Sequence, residues 1–385
     1  MTLHSEMTIG IPLLPRVRHY DWGARGKRAF IPRCLGIRPQ PNTPYAELWF
    51  GDHPTAPSLV KTEQGERIPL DRFLKENARL FFPPGKQRKE ARLPFLIKII
   101  DAARPLSLQV HPDEKQSKAG FARENAAGIP RDSPDRCFPD PVAKPELLLA
   151  LQPFDVLAGF LPWNVLRQDV WCGEIISLVG GPRPNTQRLV ERLFRLSPER
   201  VRAIGQELFG RRNLPSGPRA LWLRRLWAEH GLPKSDPACL MACFMNFRRL
   251  MPGESLEIRP GVPHTYLRGV GVEVMRNSDN VLRLGLTSKP VRFRSALKSI
   301  LFNRPVLWQK KGSSPTLWVQ KGKICARPLK AGIHRLRMTS RNFGFFMSFS
   351  RGASLGRRRS PVVVSLLPPG SATPCSGLGF LIQTL

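Results

Sequence analysis

Three short apolar runs stand out in the first part of the chain: Phe-Leu-Ile-Lys-Ile-Ile at residues 95–100, Pro-Leu-Ser-Leu-Gln-Val-His-Pro at residues 105–112, and Leu-Leu-Leu-Ala-Leu at residues 147–151. Each is too short for a typical helix and is bounded by proline or polar residues, which is typical of strands. The runs therefore predict a β-rich lobe up to about residue 150.

Gln109 and His111 are the first candidate functional residues. Side chains two apart on a strand point the same way, so their amide oxygen and imidazole can converge on one point before Pro112 ends the strand. Glu146 precedes the third run, and His264 follows a Gly-Val-Pro turn. These four side chains offer the nitrogen and oxygen donors that a divalent metal needs, with room for water or substrate.

The periodicity changes between about residues 163 and 230. Ser197 is a candidate N-cap, Pro198 fits the first helical turn, and apolar residues from 201 to 209 recur at helical spacing. Strand signals return with a predicted hairpin over residues 247–258, centred on a Pro-Gly-Glu turn. This order predicts one β-lobe interrupted by a helical insertion. Near the end of the chain, residues 362–367 predict another strand.

The formal net charge is +32 over 385 residues. Dense positive charge attracts polyanions, so nucleic-acid binding has to be considered. The charge is uneven: residues 280–385 contain 19 Lys and Arg and no Asp or Glu. Folded surfaces usually mix both signs. An arginine-biased composition, a degenerated tail and a tail that is partly out of frame all stay open as explanations.

Other bulk features argue against membranes and secretion. No apolar run approaches the roughly 20 residues that a membrane helix needs, and residues 1–10 lack the basic and apolar segments of a secretory signal. We therefore expect a cytoplasmic protein. The seven cysteines are scattered and odd in number, which predicts reduced thiols. We interpret Cys239 and Cys243 as packing residues, and Trp22 and Trp49 as core aromatics.

Specific motifs occur in order between residues 20 and 287: Tyr-Asp-Trp-Gly at 20–23, Ala-Glu-Leu-Trp at 46–49, Leu-Pro-Phe-Leu-Ile-Lys at 93–98, the run at 105–112, Lys-Pro-Glu at 144–146, Pro-His-Thr-Tyr-Leu at 263–267, Asn-Ser-Asp-Asn-Val-Leu-Arg at 277–283 and Gly-Leu-Thr at 285–287. This set resembles the type I phosphomannose isomerases, zinc enzymes of the cupin superfamily. The resemblance is recognisable to about Leu301.

The resemblance implies a mainly β fold. It implies a cupin-type β-barrel catalytic lobe made of residues 1–162 and 241–290, a helical domain inserted at residues 163–240, and a divergent basic C-terminal β domain at residues 291–385, for which degradation is one open explanation.

The resemblance also implies roles for individual residues. Gln109, His111, Glu146 and His264 would bind one zinc ion per chain. The implied catalytic residues are Arg283, Lys144 and Glu273, and the implied substrate contacts are Ser107, Lys98, Tyr266 and Asp279, with Ser107 and Lys98 on the phosphate side.

The implied reaction interconverts mannose 6-phosphate and fructose 6-phosphate through an enediol. Negative charge develops on oxygen, so a Lewis acid or a fixed cation such as Arg283 lowers the barrier. Lys144, Glu273 and a metal-bound water all stay open as the base. The implied partner is a small phosphorylated sugar, with no nucleic acid or membrane, and the oligomeric state is undetermined.

Two other classes of function also stay open. His111, Glu146 and His264 could form the two-histidine, one-carboxylate iron site of an oxygenase. Alternatively, a non-catalytic cupin could bind nucleic acid through its basic tail, although that tail contains no recognised binding motif.

Overall fold

A computed structural model describes residues 11–311, except residue 63 and residues 83–90, 212–214 and 232–234. Beyond residue 311 it describes the backbone of the strands over residues 316–319, 322–329, 333–337, 344–349, 362–367, 372–376 and 378–384.

The strands of the first 311 residues are mostly short and antiparallel. They are β1 (Ile11–Leu14), β2 (Arg16–Arg18), β3 (Ala24–Arg25), β4 (Pro44–Tyr45), β5 (Glu47–Phe50), β6 (Leu59–Lys61), β7 (Arg67–Pro69), β8 (Phe95–Ala102), β9 (Leu108–Val110), β10 (Glu146–Ala150), β11 (Phe154–Phe160), β12 (Met245–Leu250), β13 (Ser255–Ile258), β14 (His264–Arg276), β15 (Leu282–Gly285) and β16 (Leu307–Gln309). The three runs predicted as strands correspond to β8, β9 and β10.

Strand β14 organises the large sheet because it belongs to two branches. Its C-terminal part pairs with β8 and β10, in the order β16-β13-β10-β14-β8-β5-β2, and its N-terminal part pairs with β11 and β9. Gly269 lies between the two parts with a φ of +151°, and a Cβ there would lie 2.6 Å from Phe154. Only glycine therefore allows β14 to pass so close to β11, and this passage joins the two branches.

Strand β8 lies at the centre of one branch, and all eight of its residues are buried. An unbroken apolar run is expected of a strand covered on both faces. Two buried charged residues are the exceptions, Asp101 near the end of the strand and Lys98 in its middle, and Lys98 is the one that faces the cavity. Its surroundings are polar and belong to the candidate site described below.

The helices are α1 (Phe30–Leu35), α2 (Leu70–Glu76), α3 (Ala78–Phe81), α4 (Glu114–Ala126), α5 (Trp163–Gln168), α6 (Val170–Val179), α7 (Thr186–Leu193), α8 (Pro198–Phe209), α9 (Pro218–Leu226), α10 (Ala238–Ala242) and α11 (Phe293–Ser299). The predicted helix after Ser197 is confirmed as α8, and the Ser197 hydroxyl accepts a hydrogen bond from the backbone amide of Arg200. Helices α5 to α10 pack around shared apolar side chains, including Trp171, Leu223 and Trp227.

Helix α4 was not predicted, although its start carries a recognisable signal. Asp113 accepts from the backbone amide of Gln116, and the Gln116 side chain accepts in return from the Asp113 amide. This reciprocal capping box follows directly after His111 and Pro112. It therefore ends β9 and turns the chain at the edge of the candidate metal site.

The predicted hairpin over residues 247–258 was wrong in its pairing. Strands β12 and β13 both form, but β12 pairs with β11 and β13 pairs with β10 and β16. The intervening loop bonds to Ala150 instead, since the amide of Gly253 donates to the Ala150 carbonyl. The two strands thus separate into the two branches of the large sheet, where each finds a longer partner.

The C-terminal strands are β17 (Thr316–Val319), β18 (Gly322–Leu329), β19 (Ile333–Arg337), β20 (Gly344–Phe349), β21 (Val362–Leu367), β22 (Ala372–Ser376) and β23 (Leu378–Thr384). The predicted strand at residues 362–367 is confirmed as β21. It pairs with β1 in a second sheet of order β17-β18-β23-β20-β21-β1-β6-β7. The start and the end of the described chain therefore share one sheet.

Across the residues that the structure describes, no helix has both the length and the apolar character required to cross a bilayer.

Candidate active site

His111, Glu146 and His264 converge at the junction of the two sheet branches. Nε2 of His111 lies 3.1 Å from Oε1 of Glu146, and Nε2 of His264 lies 3.4 Å from its Oε2. One ligand atom of each of the three residues lies within 4.8 Å of the other two. All three side chains are buried. This is the spacing at which one ion can contact all three donors.

The imidazole nitrogens on the far side of the two rings are already used. Nδ1 of His111 lies 2.8 Å from the carbonyl oxygen of Asn280, and Nδ1 of His264 lies 3.0 Å from that of Val262. Each Nδ1 must therefore carry the proton, because a carbonyl only accepts. Each Nε2 is then left with a lone pair that faces Glu146, the arrangement that metal-binding histidines adopt.

The electrostatics of these three side chains fit a metal site. Burial lowers the pKa of His111 to about 4, so its imidazole is neutral and able to coordinate. Burial alone would raise the pKa of Glu146, but Lys144 and His111 together hold it well below its usual range. Nε2 of His111 and Oε2 of Glu146 are buried and make no hydrogen bond. Since buried polar atoms are rarely unpaired, the residues present fit a bound zinc ion.

Gln109 completes the donor set. It pairs across the sheet with His264, and its Nε2 lies 3.2 Å from Nε2 of His264. The oxygen and nitrogen of an amide are interchangeable by a half-turn of the group. In the present orientation the amide oxygen of Gln109 lies 3.3 Å from the Ser107 hydroxyl. After a half-turn the amide nitrogen would face that hydroxyl, and the amide oxygen would face the other metal donors.

Lys144 lies on the loop that leads into β10, close to the metal candidates. Its Nζ is 2.9 Å from Oε1 of Glu146, and its side chain is almost fully buried. The adjacent Pro145 carbonyl accepts from the backbone amide of Arg276, which fixes the loop against the end of β14. Lys144 is thereby held at the wall of the cavity.

A network of buried charges lies on the other side of Glu146. Nζ of Lys98 is 3.8 Å from Glu47 and 3.5 Å from Glu273, and the Tyr266 hydroxyl donates to Glu273 at 2.9 Å. The indole nitrogen of Trp49 donates to Glu47 at 2.6 Å.

Three of these groups have shifted pKa values, and burial followed by the charge of Glu273 raises that of Tyr266. Burial and the nearby Glu146 raise the pKa of Glu273, although Lys98 acts in the opposite direction. Burial would lower the pKa of Lys98, but Glu47 and Glu273 together raise it. Lys98 is therefore held as a charged counter-ion to the two carboxylates.

Arg283 and Lys289 form a cationic end of the site. Arg283 lies on β15 opposite Gln109, and its buried Nε has no hydrogen-bond partner. Burial lowers the pKa of Arg283, while burial and then the charge of Arg283 lower the pKa of Lys289. Nζ of Lys289 also lies 5.3 Å from the ring centre of Tyr20, within cation–π range. Two partly desolvated cations side by side suit a ligand with more than one negative charge.

One cavity of about 230 Å³ connects these groups. The predicted residues that line it are Lys98, Ser107, Gln109, Lys144, Glu146, Tyr266, Glu273, Asp279 and Arg283. His111 and His264 lie directly behind its wall, in contact with Glu146. The structure therefore brings every residue of the predicted site to one place.

Sequence reasoning missed several further lining residues, namely Tyr20, Glu47, His53 and Lys289, and it assigned Trp22 and Trp49 to the core. Trp49 is only 5% exposed, so it packs in the interior and also faces the cavity. The motifs at residues 20–23 and 46–49 contain four of these six residues. The position of these two motifs in the ordered series of family motifs was the sequence signal that could have identified these residues.

Comparison with known proteins places this geometry in a family. Residues 11–163 match the catalytic domain of type I phosphomannose isomerase. The chain is 34% identical over 303 residues to mannose-6-phosphate isomerase of Salmonella typhimurium, covering 75% of this chain and 74% of that protein. It is 32% identical over 300 residues to mannose-6-phosphate isomerase 1 of Arabidopsis thaliana, covering 71% and 67%.

Solved structures agree over nearly the whole length. A mutant phosphomannose isomerase from Salmonella typhimurium superposes with a TM-score of 0.80 at 27% identity, covering 97% of this chain and 98% of the other. The zinc- and fructose 6-phosphate-bound mannose 6-phosphate isomerase of that organism superposes with a TM-score of 0.77 at 26% identity and the same coverage. The chain belongs to the type I phosphomannose isomerase family.

Proposed function

We propose that this protein is a zinc-dependent aldose–ketose isomerase that interconverts mannose 6-phosphate and fructose 6-phosphate through an enediol. The observation that carries the proposal is the pair of histidine lone pairs and the unpaired Glu146 oxygen, buried beside a cavity with a cationic end. The relatives named mannose-6-phosphate isomerase and the zinc- and fructose 6-phosphate-bound neighbour support the substrate and the metal.

His111, Glu146, His264 and Gln109 would hold the zinc ion. When bound, zinc supplies Lewis acidity without redox chemistry, and so favours negative charge on neighbouring sugar oxygens. Glu146 stays ionised next to Lys144 and is thus available as a ligand.

Glu273 is our proposed base for the proton transfer between C1 and C2. Its pKa is raised while that of nearby Glu146 is lowered, and such a divergence marks one carboxylate for proton transfer and the other for binding. The Tyr266 hydroxyl bonds to Glu273 and orients it. Lys144 and Asp279, which also line the cavity, would contact the sugar hydroxyls.

Arg283 and Lys289 are our proposed partners for the phosphate and for the charge that develops during the reaction. Arg283 lines the cavity, and its buried Nε has no hydrogen-bond partner. Lys98 faces the same cavity but is already paired with two carboxylates. We therefore assign Lys98 to balancing the charge of Glu47 and Glu273, and Ser107 to orienting Gln109.

The domain division also belongs to this proposal. Strands from residues 1–162 and 241–290 form most of the two branches that share β14, and β16 at residues 307–309 adds one edge strand. This supports one cupin-type lobe with the helices of residues 163–240 inserted into it. Residues 291–385 supply most strands of the second sheet.

A sugar-phosphate isomerase of central metabolism is also expected in the cytoplasm.

Neither alternative function gains support from the site. An iron oxygenase needs only the two histidines and Glu146, and it would leave Gln109 and the cations without a purpose. Nucleic-acid binding would not require a buried metal site or a cavity of this size.

The test is a coupled assay that measures fructose 6-phosphate formed from mannose 6-phosphate. We expect activity with mannose 6-phosphate, little with unphosphorylated mannose, and a large loss of kcat in Arg283→Ala with the fold retained. Arg304→Ala serves as the control, because Arg304 is exposed and bonds to the carbonyl of Pro260 outside the cavity. A folded, zinc-loaded protein that leaves mannose 6-phosphate unchanged would overturn the proposal.

A further inference from the structure

His53 lines the inner part of the cavity from the turn that follows β5. It is 3% exposed, and its ring packs edge-on against Trp49 with ring centres 4.9 Å apart. Its partner is Asp279, from a segment distant in sequence, whose side chain is 55% exposed and lines the cavity. The contact with Asp279 therefore joins a buried imidazole to a half-exposed acid at the cavity.

The protonation of His53 follows from its neighbours. The backbone amide of Thr55 donates to Nδ1 at 3.3 Å, and the Thr55 hydroxyl lies 3.0 Å from the same atom. Nδ1 is therefore the acceptor, and in the neutral ring the proton is on Nε2. Nε2 lies 3.2 Å from Oδ1 and 3.1 Å from Oδ2 of Asp279. His53 thus donates to the carboxylate.

The backbone around Asp279 is held by other groups. The Asp279 amide donates to Oδ2 of Asp140 at 2.7 Å, and the carbonyl of Asn280 accepts from His111. These contacts fix the position of the chain but leave the side-chain torsion of Asp279 open. Within the described residues, His53 is the hydrogen-bond partner that restrains the Asp279 carboxylate.

Several charged groups face this carboxylate. The charges of Lys144 and Lys98 act on it, and Oδ2 of Asp140 accepts from the Asp279 backbone amide. Burial would raise the pKa of Asp279, but the hydrogen bond and charge of His53, followed by the two lysines, lower it. Because the Asp279 side chain is half exposed, it is free to rotate once this restraint is removed.

We propose that His53 is a positioning residue for the isomerisation: its Nε2 proton holds the Asp279 carboxylate in one orientation at the cavity wall. This inference rests on the proposed function, because it takes Asp279 to contact the sugar. It assigns no contact between His53 and the substrate.

His53→Asn and His53→Gln form a matched pair of variants. The glutamine amide nitrogen reaches about as far as Nε2 and can still donate to Asp279, whereas asparagine reaches only about as far as Nδ1. We expect His53→Gln to retain most of the wild-type kcat and His53→Asn to lose about ten- to hundredfold, the effect of one hydrogen bond to a charged group. Equal losses in the two folded variants would contradict the proposal.

A double-mutant cycle separates positioning from a general effect on stability. In an Asp279→Asn background, His53→Asn should change kcat by less than about twofold, since His53 acts through the missing carboxylate. If His53→Asn lowers kcat by the same factor in both backgrounds, the inference is overturned. If His53→Asn does not fold, His53→Leu replaces it in both comparisons.

A crystal structure of His53→Asn tests the positioning of Asp279 without an activity assay, and so it tests this inference separately from the proposed function. If the wild-type protein has no isomerase activity, the proposed function fails. The orientation of Asp279 can still be compared between the wild-type and variant crystals. A turned carboxylate in the variant supports positioning by His53, and an unchanged one contradicts it.

Discussion

The hydroxyl of Tyr266 donates a hydrogen bond of 2.9 Å to Oε1 of Glu273, inside a cavity wall that also holds Glu146. Two buried carboxylates thus lie near each other with pKa values displaced in opposite directions, upward for Glu273 and downward for Glu146. This divergence underlies the assignment of Glu273 as base and Glu146 as ligand.

The first prediction concerns the pH dependence of the reaction. A base must be ionised to accept a proton, so kcat should fall as the pH drops through the raised pKa of Glu273. Tyr266→Phe removes a hydrogen bond to the ionised form and should raise that pKa further. We expect the acid limb of the kcat profile to move to higher pH, with a loss of about tenfold at neutral pH. A variant whose acid limb stays in place would argue against Glu273 as the base.

The second prediction concerns the buried cation Lys98. Lys98→Met leaves Glu47 and Glu273 without their counter-charge in the interior. We expect a loss of about 3–5 kcal/mol in the free energy of unfolding, measured by denaturant titration. Lys118→Met is the control, because Lys118 is exposed and pairs with Glu114 at the surface. This substitution should lower the free energy of unfolding by less than about 1 kcal/mol. Similar losses in the two variants would contradict the role given to Lys98.

The third prediction concerns Asp52, whose pKa burial raises to about 6. The folded state then binds a proton more tightly than the unfolded state, so stability is greatest at low pH and falls as the pH rises from about 4 to about 6. Asp52→Asn should remove this part of the pH dependence. At pH 7 it should raise the free energy of unfolding by at most about 3 kcal/mol, and the melting temperature should rise with it. Asn277, which donates to Asp52, can turn its amide to suit the variant. A lower melting temperature at pH 7 would show that the acceptor matters more than the buried charge.

The fourth prediction separates binding from chemistry at the cationic end. Lys289→Ala should raise KM for mannose 6-phosphate by about tenfold with a smaller change in kcat, since a phosphate contact serves substrate and transition state alike. Lys298→Ala, an exposed lysine of α11, should leave both constants unchanged. A change confined to kcat would move Lys289 from binding to the chemical step.

Short-range patterns predicted much of this molecule correctly. The two-residue spacing of Gln109 and His111 placed both side chains on one side of β9, and both reach the same metal candidates. Ser197 and Pro198 marked the start of α8 because N-cap and first-turn preferences are local. Candidate ligands at strand ends could also be identified, because strand periodicity and turns set where a side chain points.

Tertiary pairing could not be read in the same way. The strands around Gly253 have the pattern of a hairpin, yet each pairs in a different branch, because β14 changes its partners at Gly269. The contact of His53 with Asp279 depends on folding that joins the end of β5 to the end of β14. Neither residue carries a local signal of the other, and the same holds for Lys98 and Glu47.

The most direct test of the central claim is the zinc content of the purified protein, measured by elemental analysis alongside isomerase activity. We predict one zinc per chain, loss of activity on chelation and recovery on adding zinc. His264→Ala should lose both zinc and activity, while the exposed control His19→Ala should keep both. A chain that isomerises mannose 6-phosphate equally well after its metal is removed, or a His264→Ala variant that retains full zinc, would contradict the account.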